Sequence, residues 1–354
     1  MDELKQRIDS RLERIANALI LNACNLDNPG LMHGKTGVSI FFYYLSRIKN
    51  NPLYEEVADS LIDDVIDSIS YSSSLNFKNG LMGIGWGIAH LVTNGFIKGD
   101  INEILADFDS RIYNGRNSIL FDNSDDALNE LAGLMLFLIF RIKSFSNNDK
   151  YKFSILYKDA LIKCVHELEN KTRDIERLIT EPDKFEITWN YPIYIYLLKE
   201  VYKLDLLNNK TINLFKYFIE PISNGYRPTR HINRCQLKLS LHQAKEILSL
   251  TGHNKIIDCM DITKTDIEKL EFGNDNLTIQ DGLSGMAIVY SIAFNCFGGK
   301  VCAENVKCLL ETIYSVEFEK KEFAGFLITD RGLGKLGVLD GLAGIGMASM
   351  FLNN

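Results

Sequence analysis

Apolar residues along this chain fall into two alternating kinds of segment. One kind is apolar nearly all round and follows a glycine: VSIFFYYL after Gly37, IGWGIAHLV after Gly83, MAIVYSIAF after Gly285 and IGMASMFL after Gly344. The other kind, such as YEEVADSLIDDVIDSI and NDKYKFSILYKDALIKCVHELEN, places apolar residues at i, i+3 and i+4 with charges between them. That spacing marks a helix with one buried face, whereas an all-round apolar helix is enclosed by others. The alternation predicts two-helix units, each pairing an inner helix with an outer amphipathic one. No run shows convincing strand alternation bounded by hairpin turns, so the expected class is all-α.

A short pattern opens the inner segments: a polar residue, Gly, two residues, Gly. It reads His33-Gly34-Lys35-Thr36-Gly37, Asn79-Gly80-Leu81-Met82-Gly83, Asp281-Gly282-Leu283-Ser284-Gly285 and Asp340-Gly341-Leu342-Ala343-Gly344, with a weaker copy at Asn129-Glu130-Leu131-Ala132-Gly133. Gly37 and Gly83 are 46 residues apart, Gly83 and Gly133 are 50, and Gly285 and Gly344 are 59. Gly133 and Gly285 are 152 residues apart, a span that holds two more units, with ITWNYPIYIYLLKEVY and NRCQLKLSLHQAKEIL as their inner helices. Regular self-similarity of this length marks a repeat architecture, here of seven helical hairpins. Gly at each helix start is expected to let backbones approach closely and to permit turn angles other residues resist. Free N–H groups of the first turns are expected to point into a shared mouth and to favour anionic or polar ligands.

Composition narrows the function. The net charge is −7 and the pI near 5.5, which argues against a nucleic-acid partner, since phosphates are neutralised by clustered Lys and Arg. Seven scattered cysteines without a CxxC pair read as reduced thiols of a cytoplasmic protein. The N-terminus is a charged amphipathic helix rather than a secretory signal, and no stretch approaches the roughly 18–20 apolar residues that span a membrane. With 6 prolines and no low-complexity linker, residues 1–354 are expected to be one domain. No dinucleotide fingerprint, P-loop, HExxH or GxSxG motif occurs.

The Gly-started repeat, seven times over from about Leu31 to Phe351, resembles the lanthionine synthetase C-like (LanC-like) family. The resemblance implies an α/α toroid with an inner and an outer ring of helices. In that family a zinc ion is held by a fifth-unit Cys and a Cys-His pair opening the sixth unit. The metal activates a peptide thiol for addition to a dehydroalanine or dehydrobutyrine, which fits the chemistry of a weakly acidic thiol. Carried over by position, the sixth-unit pair is Gln280-Asp281 here, and the fifth-unit ligand falls on Cys235, without its neighbouring Trp, Tyr and Gly. The fourth-unit slot, Ile187-Thr188-Trp189-Asn190-Tyr191-Pro192, has no histidine. A third-unit aspartate aligns with Asp126, and the family's arginine has Arg230 or His231 in its place. One Cys with an Asp and a Gln is a poor zinc set. Cys235 is therefore expected to be a buried thiol, with zinc not expected unless His231 or His242 rebuilds the site.

The residues before the helix-starting glycines, His33, Asn79, Asp281 and Asp340, are expected to face the mouth with Asp126 close by, and His33, Asp126, Asp281 and Asp340 are the catalytic candidates. The carboxylates could hold a hard cation, act as an acid–base pair or grip a basic or polar part of a peptide. Asp281 and Asp340 could equally be helix N-caps, and His33 could be architectural. The expected function is LanC-like peptide modification of the lanthipeptide type. The expected form is a zinc-free, catalytically degenerate protein that binds a ribosomally made precursor peptide or partners a peptide-modifying enzyme. The alternatives are a divergent thioether-forming cyclase with a rebuilt metal site, or a hydrolase or divalent-metal enzyme using the carboxylates.

Overall fold

Burial separates two kinds of helix in the structure, a computed structural model that describes residues 2–70, 73–145, 152–172, 175–263, 276–315, 328–329, 332–333 and 335–353. The chain opens with α1 (Asp2–Asn22) and a 3-10 turn (Ala23–Asn25), followed by α2 (Lys35–Lys49), α3 (Pro52–Ser68), α4 (Leu81–Thr93), α5 (Ile101–Ile104) and α6 (Ala106–Leu120). Then come α7 (Ala127–Ser144), α8 (Lys152–Lys171), α9 (Ile175–Ile179), α10 (Asn190–Lys203), α11 (Asn208–Ser223), α12 (His231–Gln243), α13 (Lys245–Leu250) and α14 (Ile256–Cys259). The last helices are α15 (Leu283–Phe297), α16 (Lys300–Ser315) and α17 (Leu342–Leu352). Strand is limited, among the described residues, to the antiparallel two-residue pair β1 (Ile328–Thr329) and β2 (Gly332–Leu333).

The sequence pattern explains the burial. In α2 every residue from Thr36 to Tyr43 is buried, and α4 buries Leu81 to Gly85 and Gly87 to Ala89. In α3 only Ala58, Leu61, Ile62 and Val65 are buried, and in α8 the buried stripe is Tyr157, Ala160, Leu161, Cys164, Val165 and Leu168. These are the i, i+3, i+4 faces of outer helices. Helix α4 tolerates Gly83 and Gly87, at about 1 kcal/mol each in propensity, because enclosure needs them small. A Cβ at Gly87 would sit 2.5 Å from Thr36 Cγ2.

The chain divides into two compact units. The first comprises residues 1–108, 271–291 and 304–354; the second comprises 109–270 and 292–303. In the first, α2 packs against α3 and α4, and α17 against α1 and α2. In the second, α7 packs against α8 and α10, and α10 against α11 and α12. Each unit thus repeats one rule: an inner helix contacts the next inner helix and its own outer partner. No helix among the described residues is long and apolar enough to cross a membrane.

The Gly loops of the first unit correct two expectations. Gly34, Gly80 and Gly341 precede α2, α4 and α17 with φ of −131, −109 and −137°, extended values that any residue adopts. What they supply is space. A Cβ at Gly34, Gly80, Gly282 or Gly341 would lie 2.3, 2.3, 2.5 or 2.4 Å from the carbonyl oxygen six residues earlier, that of Asn28, Ser74, Asn276 or Lys335. Those same carbonyls accept the first helical N–H groups: Lys35 to Asn28 (2.8 Å), Leu81 to Ser74 (2.9 Å), Leu283 to Asn276 (2.9 Å) and Leu342 to Lys335 (3.1 Å). The next N–H groups, of Thr36, Met82 and Ala343, reach Pro29, Leu75 and Leu336 in the same way. The orphan donors of these first turns are therefore consumed inside their own loops rather than offered to a ligand.

In the second unit the helix starts are built differently. The weaker repeat copy lies within α7, since that helix begins at Ala127 with Asp126 as its N-cap residue. Asn129-Glu130 therefore sits in the first helical turn, not in a Gly loop. At α12 a carboxylate from an earlier loop caps the helix. Glu181 accepts from the backbone N–H groups of Thr229 (2.7 Å) and Arg230 (2.9 Å), from the Thr229 hydroxyl and from Asn233 Nδ2.

Candidate functional site

A row of backbone hydrogen bonds joins the four Gly loops of the first unit at one register. Gln280 N–H donates to Leu339 O (2.8 Å), Leu339 N–H to Met32 O (2.9 Å) and Met32 N–H to Lys78 O (2.8 Å). Each of these residues stands two before its helix-starting glycine. Loops six, seven, one and two are thus neighbours in that order, and the residues just before the glycines, Asp281, Asp340, His33 and Asn79, follow the same order. Two further glycines, not singled out by the repeat, interlock them. A Cβ at Gly337 would lie 2.5 Å from His33 Cα, and one at Gly30 would lie 2.3 Å from Asn79 Cα. Both stand four residues before the helix-starting glycine, so the signal was present as Gly-x-x-x-Gly in the first and seventh units.

Within this row two of the candidates are brought together. His33 Nδ1 lies 2.8 Å from Asp340 Oδ1, with Lys335 Nζ 3.9 Å from Asp340 Oδ2. The side chains are 28% and 24% exposed, half-sheltered but reachable. Burial alone would push the Asp340 carboxyl up; the hydrogen bond and charge of His33 and the charge of Lys335 outweigh it and leave it below the usual range. Asp340 is therefore an ionised acceptor and Nδ1 of His33 the donor. Asp281 behaves differently. Its Oδ1 accepts from Asn276 Nδ2 (2.8 Å) and from the Thr278 hydroxyl (2.9 Å), both in its own loop. Asp340 is not an N-cap, since Gly341 holds that position without a side-chain cap bond. Asp281 likewise stands one residue before Gly282, which directly precedes α15. Asn79 presents a buried Oδ1 with no hydrogen-bond partner.

Asp126 and Cys235 belong to the second unit. Asp126 accepts from Asn129 one turn into α7. Beside it, Asn123, Ser124, Asp125, Leu128 and Lys171 line a small open pocket of about 300 Å³, in which Asp126 itself takes no part. Cys235 is fully buried on α12. Its Sγ lies 3.8 Å from His231 Nδ1, and His231 Nε2–H donates to the Ile262 carbonyl (3.0 Å). The Cys235 thiol also donates to Cys302, a residue that sequence spacing gave no means of pairing with it. That bond, with burial, pushes Cys235 well above the ordinary thiol range.

The positions that the family resemblance assigns to zinc do not fit the metal. Of the three positions only Cys235 keeps a soft donor, too few for a zinc set. Gln280 is a neutral amide, and Asp281 has its Oδ1 committed to its own loop. No cluster of three or more His, Cys, Asp or Glu arranged to hold a metal occurs among the described residues.

Inner helices started by interlocked Gly loops, each backed by an amphipathic partner, define a helical-hairpin repeat protein, and comparison with known proteins places its fold. The model of the family described as lanthionine synthetase C-like protein matches residues 26–187. Among solved structures the chain is similar to nisin cyclase, with a TM-score of 0.66 and 14% identity, covering 99% of this chain and 94% of that one. No curated protein sequence matches the chain. Over residues 26–187 the chain is similar in sequence to the LanC-like family, and over nearly its whole length it shares the helical α/α-toroid fold.

Proposed function

We propose that this is a LanC-like protein of peptide modification, binding a ribosomally made precursor peptide without the zinc-centred thiol activation of its family. The observation that carries this reading is the fate of the sixth-unit zinc pair. Its place is taken by Gln280-Asp281, in a loop that keeps the family architecture while turning the carboxylate Oδ1 onto Asn276 and Thr278. The scaffold is retained and the sixth-unit Cys-His pair is not, as expected where peptide binding has outlasted zinc chemistry. In this setting the protein holds the peptide for its own chemistry or presents it to a partner enzyme. A carboxylate-based hydrolase or divalent-metal enzyme has less support, since Asp281 serves its loop and Asp340 is paired with His33. The scattered, odd set of cysteines supports a cytoplasmic setting.

Two measurements test the proposal. Elemental mass spectrometry of protein purified without chelators, beside Cys235→Ala, is expected to find no stoichiometric zinc in either. One zinc per chain that disappears in the variant would return a zinc cyclase to first place. Calorimetric titration with a dehydrated, cysteine-containing peptide is expected to show binding; its absence would remove the peptide reading itself.

A further inference from the structure

We propose that His33 and Asp340 form an acid–base dyad that moves the proton of a bound peptide's cysteine thiol as the sulfur adds to a dehydroamino acid, with no metal. This rests on the reading above that a dehydrated precursor peptide is the ligand, and it gives the Gly-loop row of the first unit a chemical role that the zinc positions do not supply.

The tautomer follows from the geometry. An ionised Asp340 can only accept at 2.8 Å, so the ring proton sits on Nδ1. In the neutral ring the lone pair is then on Nε2, and among the described residues no hydrogen bond engages that atom. An imidazole oriented through Nδ1 by a carboxylate and open at Nε2 has, in its neutral form, the arrangement of a general base. The dyad is also held in place. Met32, the residue before His33, has its N–H bonded to Lys78 and its carbonyl bonded to both Val338 and Leu339. The close approach of Gly337 to His33 Cα leaves that backbone little freedom to shift. Fixing the base in this way before the ligand arrives is what efficient proton transfer needs. Partial exposure of both side chains, 28% and 24%, leaves the pair open to a peptide.

The step balances without an oxidant or reductant. His33 Nε2 takes the S–H proton, and the thiolate sulfur bonds to Cβ of dehydroalanine. The Cα=Cβ π pair moves to Cα as an enolate, and the imidazolium returns the proton to Cα. His33 is the catalytic residue; Asp340 is a positioning residue that fixes the tautomer and balances the imidazolium charge.

The test uses full-length protein stripped of metal and kept in chelator, with a synthetic peptide carrying one dehydroalanine and one cysteine. Ring closure is read as loss of thiol available to an alkylating reagent, beside peptide alone, and peptide binding is measured separately. Wild-type protein is expected to accelerate closure in chelator. His33→Ala is expected to lower kcat by about 100-fold or more with KM little changed, and added imidazole to restore part of the rate. Asp340→Asn is expected to lower kcat by tenfold or more, again with KM little changed. If the peptide does not bind, the functional reading above fails and the dyad falls with it. If it binds but wild type is no faster than peptide alone, or loses its acceleration in chelator, the dyad is overturned while peptide binding stands. The same holds if His33→Ala melts normally and keeps the wild-type rate, or is slow and imidazole does not rescue it, since a purely structural His33 would give those results.

Discussion

The helix-starting glycines carry two reasons in the sequence reading, close approach and turn angle, of which only the first holds. The sequence places Gly34, Gly80, Gly282 and Gly341 at the starts of enclosed helices, and they are there. Composition cannot tell a glycine needed for its dihedral from one needed for its missing Cβ, and here the second applies. Gly34→Ala or Gly80→Ala would drive a methyl to within 2.3 Å of a backbone carbonyl oxygen, an overpacking expected to cost about 1–3 kcal/mol. Urea denaturation of each variant checks this, and a change under half a kcal/mol would mean that the loop yields. Glu181 is a residue whose role no local pattern announces, since its partners lie 48 to 52 residues away. Burial alone would raise its carboxyl, and the bonds from Thr229, Arg230 and Asn233 outweigh it and hold it low. A depressed carboxyl contributes stability that is present above the unfolded-state value, about 4.3 for Glu, and is lost as pH falls through the folded value. Glu181→Gln is therefore expected to cost about 0.5–2 kcal/mol near neutral pH, as loss of a helix cap does. The gap from wild type should close in denaturation curves taken in increasingly acidic buffer; a gap independent of pH would assign the loss to packing instead.

At the scale of helices, periodicity located most elements because enclosed and half-exposed helices have different apolar patterns. The stripe of α8 from Tyr157 to Leu168 was legible for that reason, and the burial of α4 likewise. The start of α7 was not, because its Gly133 lies on an inner helix as small-residue packing rather than at a loop, and a five-residue motif cannot distinguish the two. Also illegible was the polar brace that ties α6, α7 and α8 together. Arg141 on α7 donates through Nε to Asp109 Oδ1 (3.0 Å) and through an Nη to Oδ2 (2.6 Å). The Tyr157 hydroxyl on α8 donates to Asp109 Oδ1 (3.0 Å), and the side chains of both charged residues are fully buried. Removing one member leaves the other charge without its partner, which typically costs about 3–5 kcal/mol. Asp109→Asn or Arg141→Met alone should therefore destabilise severely. The joint apolar change Asp109→Leu with Arg141→Met should recover most of the loss, since two charges need not then be desolvated. Thermal melts of the two single variants and the double form the cycle; simple additivity of the losses would show that the brace does not act as a unit.

The whole molecule was the most legible level, because a repeat that recurs at 46 to 59 residues is hard to produce by any fold other than a helical-hairpin array. What the repeat could not say is which chemistry its rim supports. That depends on pairs such as His33 with Asp340, 307 residues apart, which face each other only because the seventh loop bonds to the first. The same closure makes a prediction about the chain's end. C-terminal segments usually tolerate truncation, but α17 packs against α1 and α2 and buries Leu342, Ile345, Ala348 and Met350. The loop before it carries the hydrogen bonds from Val338 and Leu339 to Met32. A chain ending before Lys335 would expose the apolar faces of α1 and α2, losing about 1.5–3 kcal/mol for each large side chain no longer covered. It would also leave the Met32 carbonyl unpaired and remove Asp340 from His33. Since the first unit is assembled from both ends of the chain and the second is nearly continuous, the damage should be uneven. Amide hydrogen exchange read by mass spectrometry is expected to show protection lost across residues 1–108 and largely kept across 109–263. Uniform loss over both stretches would mean that the two units unfold together, and protection kept in both would mean that α17 is dispensable to the fold.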